Sequence, residues 1–159
     1  MAVINTSAGN KAVLALGATA ANANVLATPA LVVPYMQDIT INNSTGVFRW
    51  KTLDATAESA ATTPATNQVT VNVVVDDKAF FGNASLTDAV ANTGIYGCSK
   101  NKTRVFFEIA FNGATAGQNY FKGSGFISGL SPTVNPDAPL WVTPVTIEVD
   151  GDFDSDVTL

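Results

Sequence analysis

The sequence predicts a mainly β protein: a β-sandwich or barrel with one short flanking α-helix at about residues 85–93 and a long loop or arm at 52–68. Three observations carry that expectation. Several segments alternate apolar and polar residues with the two-residue period of a strand. One segment combines helical spacing with start and stop signals. The chain has 159 residues, 47% of them hydrophobic, which is enough for one core and little more. Residues 1–159 are therefore expected to form a single β domain.

The elements follow in order. Residues 12–33 are rich in Ala, Val, Leu and Asn and carry no charge. Met36–Ile41 reads as extended, closed by a turn at Asn42-Asn43-Ser44-Thr45-Gly46 and followed by Val47–Lys51. Together they predict a hairpin with Val47 and Arg49 on one side and Phe48 and Trp50 on the other. Residues 51–68 are rich in Ala and Thr and do not alternate, so a loop or arm is expected from about residue 52. A loop of that length in a compact domain is usually functional or disordered. Its near-neutrality favours contact with a partner.

Val69–Val75 alternates and then becomes a continuous Val run, as in a strand buried on both faces. Asp76-Asp77 is expected to end it. The helix takes Ser85 as its cap, with Asp88 three residues later, Leu86, Ala89 and Val90 as its apolar stripe and Gly94 as its stop. It is short, so packing against a sheet must hold it. Thr103–Phe111 alternates most cleanly, with Val105, Phe107, Ile109 and Phe111 on one face and Arg104, Phe106, Glu108 and Ala110 on the other. Asn112-Gly113 is a turn. Tyr120–Ile127 is a strand in which Gly123-Ser124-Gly125 implies a bulge or close backbone packing. Trp141–Val149 places Val145, Ile147 and Val149 inward.

Composition excludes much chemistry. There is no histidine, so Ser-His-Asp and Cys-His devices and histidine zinc sites are absent. The single cysteine, Cys98, permits no intrachain disulfide and reads as a small free thiol at a turn or core edge. No nucleophile–base pair can be named, so no enzyme, metal or cofactor is expected. No apolar run reaches 18 residues, and the N-terminus has no secretory pattern, so no membrane insertion is expected. Only 13% of residues are charged, about half the usual share, which suggests a surface partly covered by partners.

The charges are unevenly placed. Glu148, Asp150, Asp152, Asp154 and Asp156 all have even numbers, so an extended C-terminal strand would project all five from one face. Such a row repels itself. It reads either as a solvated acidic tail or as a wall that repels polyanions. Asp152-x-Asp154-x-Asp156 resembles the start of a calcium loop but lacks its glycine and closing glutamate. Lys100, Lys102 and Arg104 form the only basic cluster and would share one face if extended. A salt-bridging edge fits them better than nucleic-acid binding.

Three segments carry a family resemblance. They are Met36-Gln-Asp-Ile-Thr-Ile41 with its Asn/Ser/Thr turn; Val69–Val75 with Asp76-Asp77 and then Phe80 to Gly94; and Tyr120-Phe-Lys-Gly-Ser-Gly-Phe-Ile-Ser-Gly-Leu-Ser131 followed by Trp141 to Gly151. In this order they resemble the tail tube proteins (major tail proteins) of long-tailed bacteriophages. The last segment is similar to that family's closing hairpin. The departures are the Ala/Thr-rich stretch, the prolines Pro132, Pro136, Pro139 and Pro144, and the acidic tail.

The resemblance implies a structural virion protein, made in the host bacterial cytoplasm and located in the phage tail. Six subunits form a ring whose inner sheets join into a continuous barrel, and rings stack through loops and terminal arms. The partners it implies are further copies of the chain, a tape measure protein, a tail terminator and double-stranded DNA in passage. Under this reading Asp76, Asp77, Glu148, Asp150, Asp152, Asp154 and Asp156 are candidate channel-lining acids, since a basic bore would hold phosphates in place. Leu53, Thr56, Ala60, Thr63 and Pro64 are candidate inter-ring loop residues. The alternatives are a capsid decoration or other structural virion β-protein, and a carbohydrate-binding module using Trp50, Tyr96, Tyr120 and Trp141.

Overall fold

In the computed structural model of the chain, residues 13–18, 31–82, 89–111 and 119–157 are described. In chain order the elements are β1 (Val13–Ala18), β2 (Leu31–Val32), β3 (Met36–Trp50), β4 (Ser59–Val74), α1 (Asp77–Phe81), α2 (Ala89–Asn101), β5 (Arg104–Ala110), β6 (Asn119–Leu130), β7 (Thr133–Asn135), β8 (Ala138–Val149) and β9 (Asp154–Val157). The chain is mainly β with flanking helix, as its periodicity predicts. The nine strands belong to one sheet in the order β2-β1-β5-β6-β8-β4-β3. β7 pairs with β8, and β9 with β6. Every pairing is antiparallel.

Alternation decides which face is core. Val69, Val71 and Val73 of β4 stand beside Ile147 and Val145 of β8, and Ile127 of β6 pairs with Ile147. Val105, Phe107 and Ile109 of β5 continue the same face toward Leu14 and Leu16 of β1. All of these side chains are buried. The β4 residues 68, 70, 72 and 74, between the buried ones, are only half-buried, so the Val run belongs to a strand with one core face rather than two. The even-numbered positions of β4, β5 and β8, and of β6 as far as its register shift after Ile127, form the other face, which carries the charges together with Phe106 and Phe126.

The helices cover part of the core face. α2 packs on β6 and β1, with Ile95 and Cys98 buried, and α1 packs on α2, burying Ala79 and Phe80. The expected helix at 85–93 overlaps the start of α2, while Ser85, Leu86 and Asp88 lie outside the described residues. Gly94 does break the helix, with φ 67° and ψ 175°, but helical conformation resumes and runs to Asn101. A side chain at Gly94 would collide with the backbone of Phe80, Phe81 and Gly82. Close docking of α1 therefore sets this position.

α1 was not expected from the sequence. Asp76 does not merely end β4. Its Oδ2 accepts hydrogen bonds from the amides of Lys78 (3.2 Å) and Ala79 (3.1 Å), capping α1.

Two expectations about the arm are corrected. The predicted turn at residues 42–46 is not a turn. β3 stays extended through it, because each residue from Asn42 to Thr45 has a ladder partner among Gln68 to Ala65 of β4. The turn lies at residues 51–58, and 59–68 is strand. The predicted loop or arm is thus the far half of one long β-hairpin.

That hairpin has one irregularity. Between the pairs Thr45↔Ala65 and Val47↔Thr62, β4 carries one extra residue. The bulge contains Pro64, which has no amide to give a ladder. Gly46 sits opposite, where a side chain would collide with the Thr63 hydroxyl.

The glycines of β6 are matters of space. A side chain at Gly123 would press into the Phe107 ring at 2.7 Å, and one at Gly125 would collide with the Glu148 carbonyl. β8 approaches β6 closely only because Gly125 lacks a Cβ.

Core and arm should respond differently to truncation. Ile147→Ala removes a side chain wedged between Val69 and Ile127 and is expected to cost about 2–5 kcal/mol in urea unfolding. Phe48→Ala, on the exposed arm, is expected to change stability by no more than about 0.5 kcal/mol.

Candidate functional site

Two surfaces are unlike an ordinary solvated exterior: the polar face of the sheet near the C-terminus, and the arm. β8 and β9 run in the same direction along β6, as one strand interrupted at residues 150–153. Val149 pairs with Gly125 and Asp154 with Lys122, so three steps on β6 match five on the other chain segment. Two residues are looped out, and Gly151 accommodates the loop with φ 96°. An insertion of two preserves the alternation on either side. Asp154 and Asp156 therefore return to the face that carries Glu148, while Phe153 returns to the core side against Phe107 and Phe121.

The expected row of five acids is therefore broken at one place. Asp152, within the looped residues, accepts a hydrogen bond from the Asn67 amide (3.2 Å), which also donates to the Gly151 carbonyl (2.8 Å). Asn67 is buried on the core-facing row of β4. The others stay on the polar face, and each has a partner there. Gln68 Nε2 donates to Glu148 (2.7 Å), and Arg104 bridges to Asp150 (2.9 Å). Lys122 bridges to Asp154 (3.6 Å) and Asp156 (3.0 Å). Basic side chains from β5 and β6 thus relieve the repulsion that an isolated acidic strand would suffer.

These pairs border a cleft of about 150 Å³ whose charged lining is Arg104, Glu108, Lys122, Asp150, Asp152 and Asp154, so Asp152 reaches the cleft from the loop while it accepts from Asn67. The Arg104 guanidinium lies 5.8 Å from the centre of the Phe106 ring and also donates to Ser124 Oγ (2.8 Å). Its Nε–H is buried without a partner among the described residues.

Asp76 and Asp77 are not part of this group. They follow the C-terminal end of β4, eight to ten residues and roughly 25–35 Å along the chain from Asn67 and Gln68. Asp76 is occupied in capping α1, and Asp77 is exposed in its first turn. The seven acids named from the sequence form two separate sets.

The basic cluster also divides. Lys100 ends α2, Lys102 sits in a turn with φ 53°, and Arg104 begins β5, so the three do not share a strand face. Arg104 does make the salt bridge expected of such an edge. Cys98 is buried in α2, and burial pushes its thiol pKa up, which suppresses the thiolate. Among the described residues no group of three His, Cys, Asp or Glu side chains can hold a metal ion, and no helix is long and apolar enough to cross a membrane.

The arm carries Leu53 and Thr56 in its turn and Ala60, Thr63 and Pro64 on β4, all exposed. It also carries an apolar group that sequence reading missed. Phe48 and Trp50 stack at 5.7 Å between ring centres, and both are exposed. Their cross-strand partners are Ala61 and Ser59. The sequence carried no signal for this, because the reading of 52–68 as a loop gave Phe48 and Trp50 no cross-strand partners; opposite Ala61 and Ser59 the two rings stay uncovered.

The described residues thus form one antiparallel sheet with a charged face and a long arm bearing exposed aromatics. No family model and no curated protein matches the chain. Among solved structures it resembles the tail of an empty GTA particle, computed with C6 symmetry (TM-score 0.66, 8% identity, covering 96% of this chain and 100% of that one). It also resembles the SPP1 tail tube (TM-score 0.64, 10% identity, 94% and 78%) and the virion of a native gene transfer agent particle (TM-score 0.63, 8% identity, 96% and 100%). The fold of this chain is that of phage tail tube subunits.

The polar face has a pH signature. The hydrogen bond from Lys122 to Asp156 holds its ammonium pKa above the ordinary value, against a smaller desolvation effect. Burial, followed by the charges of Asp156 and Glu108, raises the Tyr120 phenol. Both shifts favour the protonated form in the folded chain. Their stabilisation is therefore complete below about pH 10 and is lost as pH rises through the raised values. Thermal melts from pH 8 to 11 should show falling stability, and Lys122→Met with Tyr120→Phe should flatten that fall.

Proposed function

We propose that this chain is a structural subunit of a phage tail tube, forming hexameric rings that stack around a channel for genome delivery. The observation that carries the reading is the fold match to tail and tail tube structures across nearly the whole chain. Three features of the chain itself support it. The charged fraction is 13%, which suits a subunit contacted on several sides. Among the described residues β3 pairs only with β4, so its outer edge is available to a neighbour's strand, and joining edges within a ring removes an aggregation liability. The arm presents Phe48, Trp50 and Leu53 beyond the sheet, where an adjacent ring would cover them. Tape measure protein and tail terminator are the further partners of this role.

The same reading turns the polar sheet face toward the bore. Across β5, β6, β8 and β9 that face carries Glu108, Glu148, Asp150, Asp154 and Asp156 against Arg104 and Lys122. Five acids against two bases leave it net negative, so it would not bind passing phosphates. Asp152 borders the same cleft from the looped residues, and Asp76 and Asp77 lie beyond the C-terminal end of β4. They contribute to the bore only if its lining extends that far.

Negative-stain microscopy of the concentrated protein tests the assembly. Tubes with a regular axial repeat are expected, whereas persistent trimers that bind heads would favour a decoration protein instead. Phe48→Ser with Trp50→Ser should leave the circular dichroism spectrum unchanged and reduce tube length at least several-fold. In a reconstruction of the tube, Glu148, Asp150, Asp154 and Asp156 should face inward. Outward placement of all four would overturn the assignment of the bore.

A further inference from the structure

β3 has an exposed aromatic group at each of its ends. At its C-terminal end Phe48 and Trp50 stack on the arm, and Leu53 follows in the turn. At its N-terminal end stand Tyr35, Phe81 and Tyr96, which are 69%, 55% and 47% exposed. Tyr35 immediately precedes β3, and its carbonyl accepts a hydrogen bond from the Val74 amide at the end of β4 (3.2 Å). α1, which carries Phe81, begins three residues later. Pro34, Val74 and Phe80 line one small recess, so the helices sit beside the entry to β3. The 15 residues of β3 set the two groups roughly 45–50 Å apart.

The group at the helix end is held on a fixed frame. α1 docks on α2 across Gly94, where no side chain stands in the way of Phe80 and Gly82. The buried Phe80 ring meets Phe81 edge-on at 4.9 Å, and Phe81 meets Tyr96 at 5.9 Å. Rings fixed in this way lose little freedom when a partner covers them. Tyr35 has φ 54°, a conformation that costs a bulky L residue free energy. Its side chain is exposed, so core packing does not offset that cost.

The charges at the two ends are complementary. Arg49 and Lys51 flank Trp50 and form no ion pair among the described residues. Asp77, exposed and likewise without an ion pair there, lies four residues before Phe81 and so shares its face of α1. In the opposite sense, Asp54 and Glu58 of the arm turn match Lys78 of α1. The two surfaces are too far apart to meet within one chain. A contact between copies through two such different surfaces is head-to-tail and open-ended, so each copy is left with one group free for the next.

We propose that the arm of one copy docks Phe48, Trp50 and Leu53 against Tyr35, Phe81 and Tyr96 of the next copy along the β3 axis. Arg49 and Lys51 come to the side of Asp77, which gives that acid a place outside the bore. The docking of end on end concerns any two copies of the chain. Its role as the contact between stacked rings rests on the tail tube reading.

The test uses the full chain with one cysteine at either end. Thr52→Cys marks the arm and Lys78→Cys the helix end, each in a Cys98→Ala background. A short bismaleimide is added to each variant alone and to an equimolar mixture. The mixture should give covalent dimers, and each variant alone should give none. A chain carrying both cysteines should give a ladder of multimers, because its own two ends are too distant to link. Dimers from either variant alone, or none from the mixture, overturn the proposal. Phe81→Ser with Tyr96→Ser, shown to be folded by circular dichroism, should raise the concentration needed for sedimentable assembly by about tenfold or more. An unchanged threshold in that folded variant also overturns it. If tubes form but the mixture gives no dimers, the tail tube reading stands and this contact falls. If the mixture gives dimers and microscopy shows no tubes, the contact stands and the tail tube reading falls.

Discussion

Val69, Ile147 and Ile127 stand in one row across three neighbouring strands, and the rest of the sheet is built outward from them. β8 is hydrogen-bonded to β4 on one side and β6 on the other, so its odd-numbered side chains are committed to the core wherever both ladders hold. A slip of one residue would expose Val145 and Ile147 and bury Thr146 and Glu148. That asymmetry pins the register. It also requires β8 to lie close against β6, which Gly125 permits by offering no side chain to the Glu148 carbonyl. Once β8 is placed, the path of the C-terminal segment along β6 and the departure of the arm from β4 are both determined.

The polar face shows how the chain manages a concentration of acid. Five carboxylates within residues 148–156 would oppose folding if they were left together. Instead they meet four groups from three strands: Asn67 and Gln68 of β4, Arg104 of β5, and Lys122 of β6, which Asp154 and Asp156 share. The individual exposed pairs are weak, at about 1 kcal/mol or less for Arg104–Asp150. Their combined effect is positional. They place the acidic segment against β6 while leaving the face with a negative balance.

The strand faces were largely legible. Val105, Phe107 and Ile109 alternate without interruption and are buried, and the glycines of β6 mark close packing, as their place in a strand pattern implies. The failures have physical causes. Asn42-Asn43-Ser44-Thr45-Gly46 has the composition of a turn, yet a partner strand of equal length was available. A ladder of backbone hydrogen bonds outweighs a local preference of this size. Asp76 looked like a strand terminator because capping becomes visible only once α1 has a core to dock on. Phe48 and Trp50 share a hairpin face, as their spacing implies, but their partners Ala61 and Ser59 are too small to cover them.

By itself the sequence determined the mainly β class, the inward residues of β5 and β8, and the exclusion of histidine-dependent chemistry. These follow from composition and from a period of two, which are properties of the chain read locally. Only the tertiary structure decided which carboxylates share a face, which bases neutralise them and where the arm leaves the sheet. Each of those depends on residues more than 20 positions apart meeting across strands, as Asn67 meets Asp152 and Lys122 meets Asp156. The two residues looped out at Gly151, invisible as a pattern, let the acidic segment continue along β6 with its alternation preserved, where Lys122 meets Asp154 and Asp156.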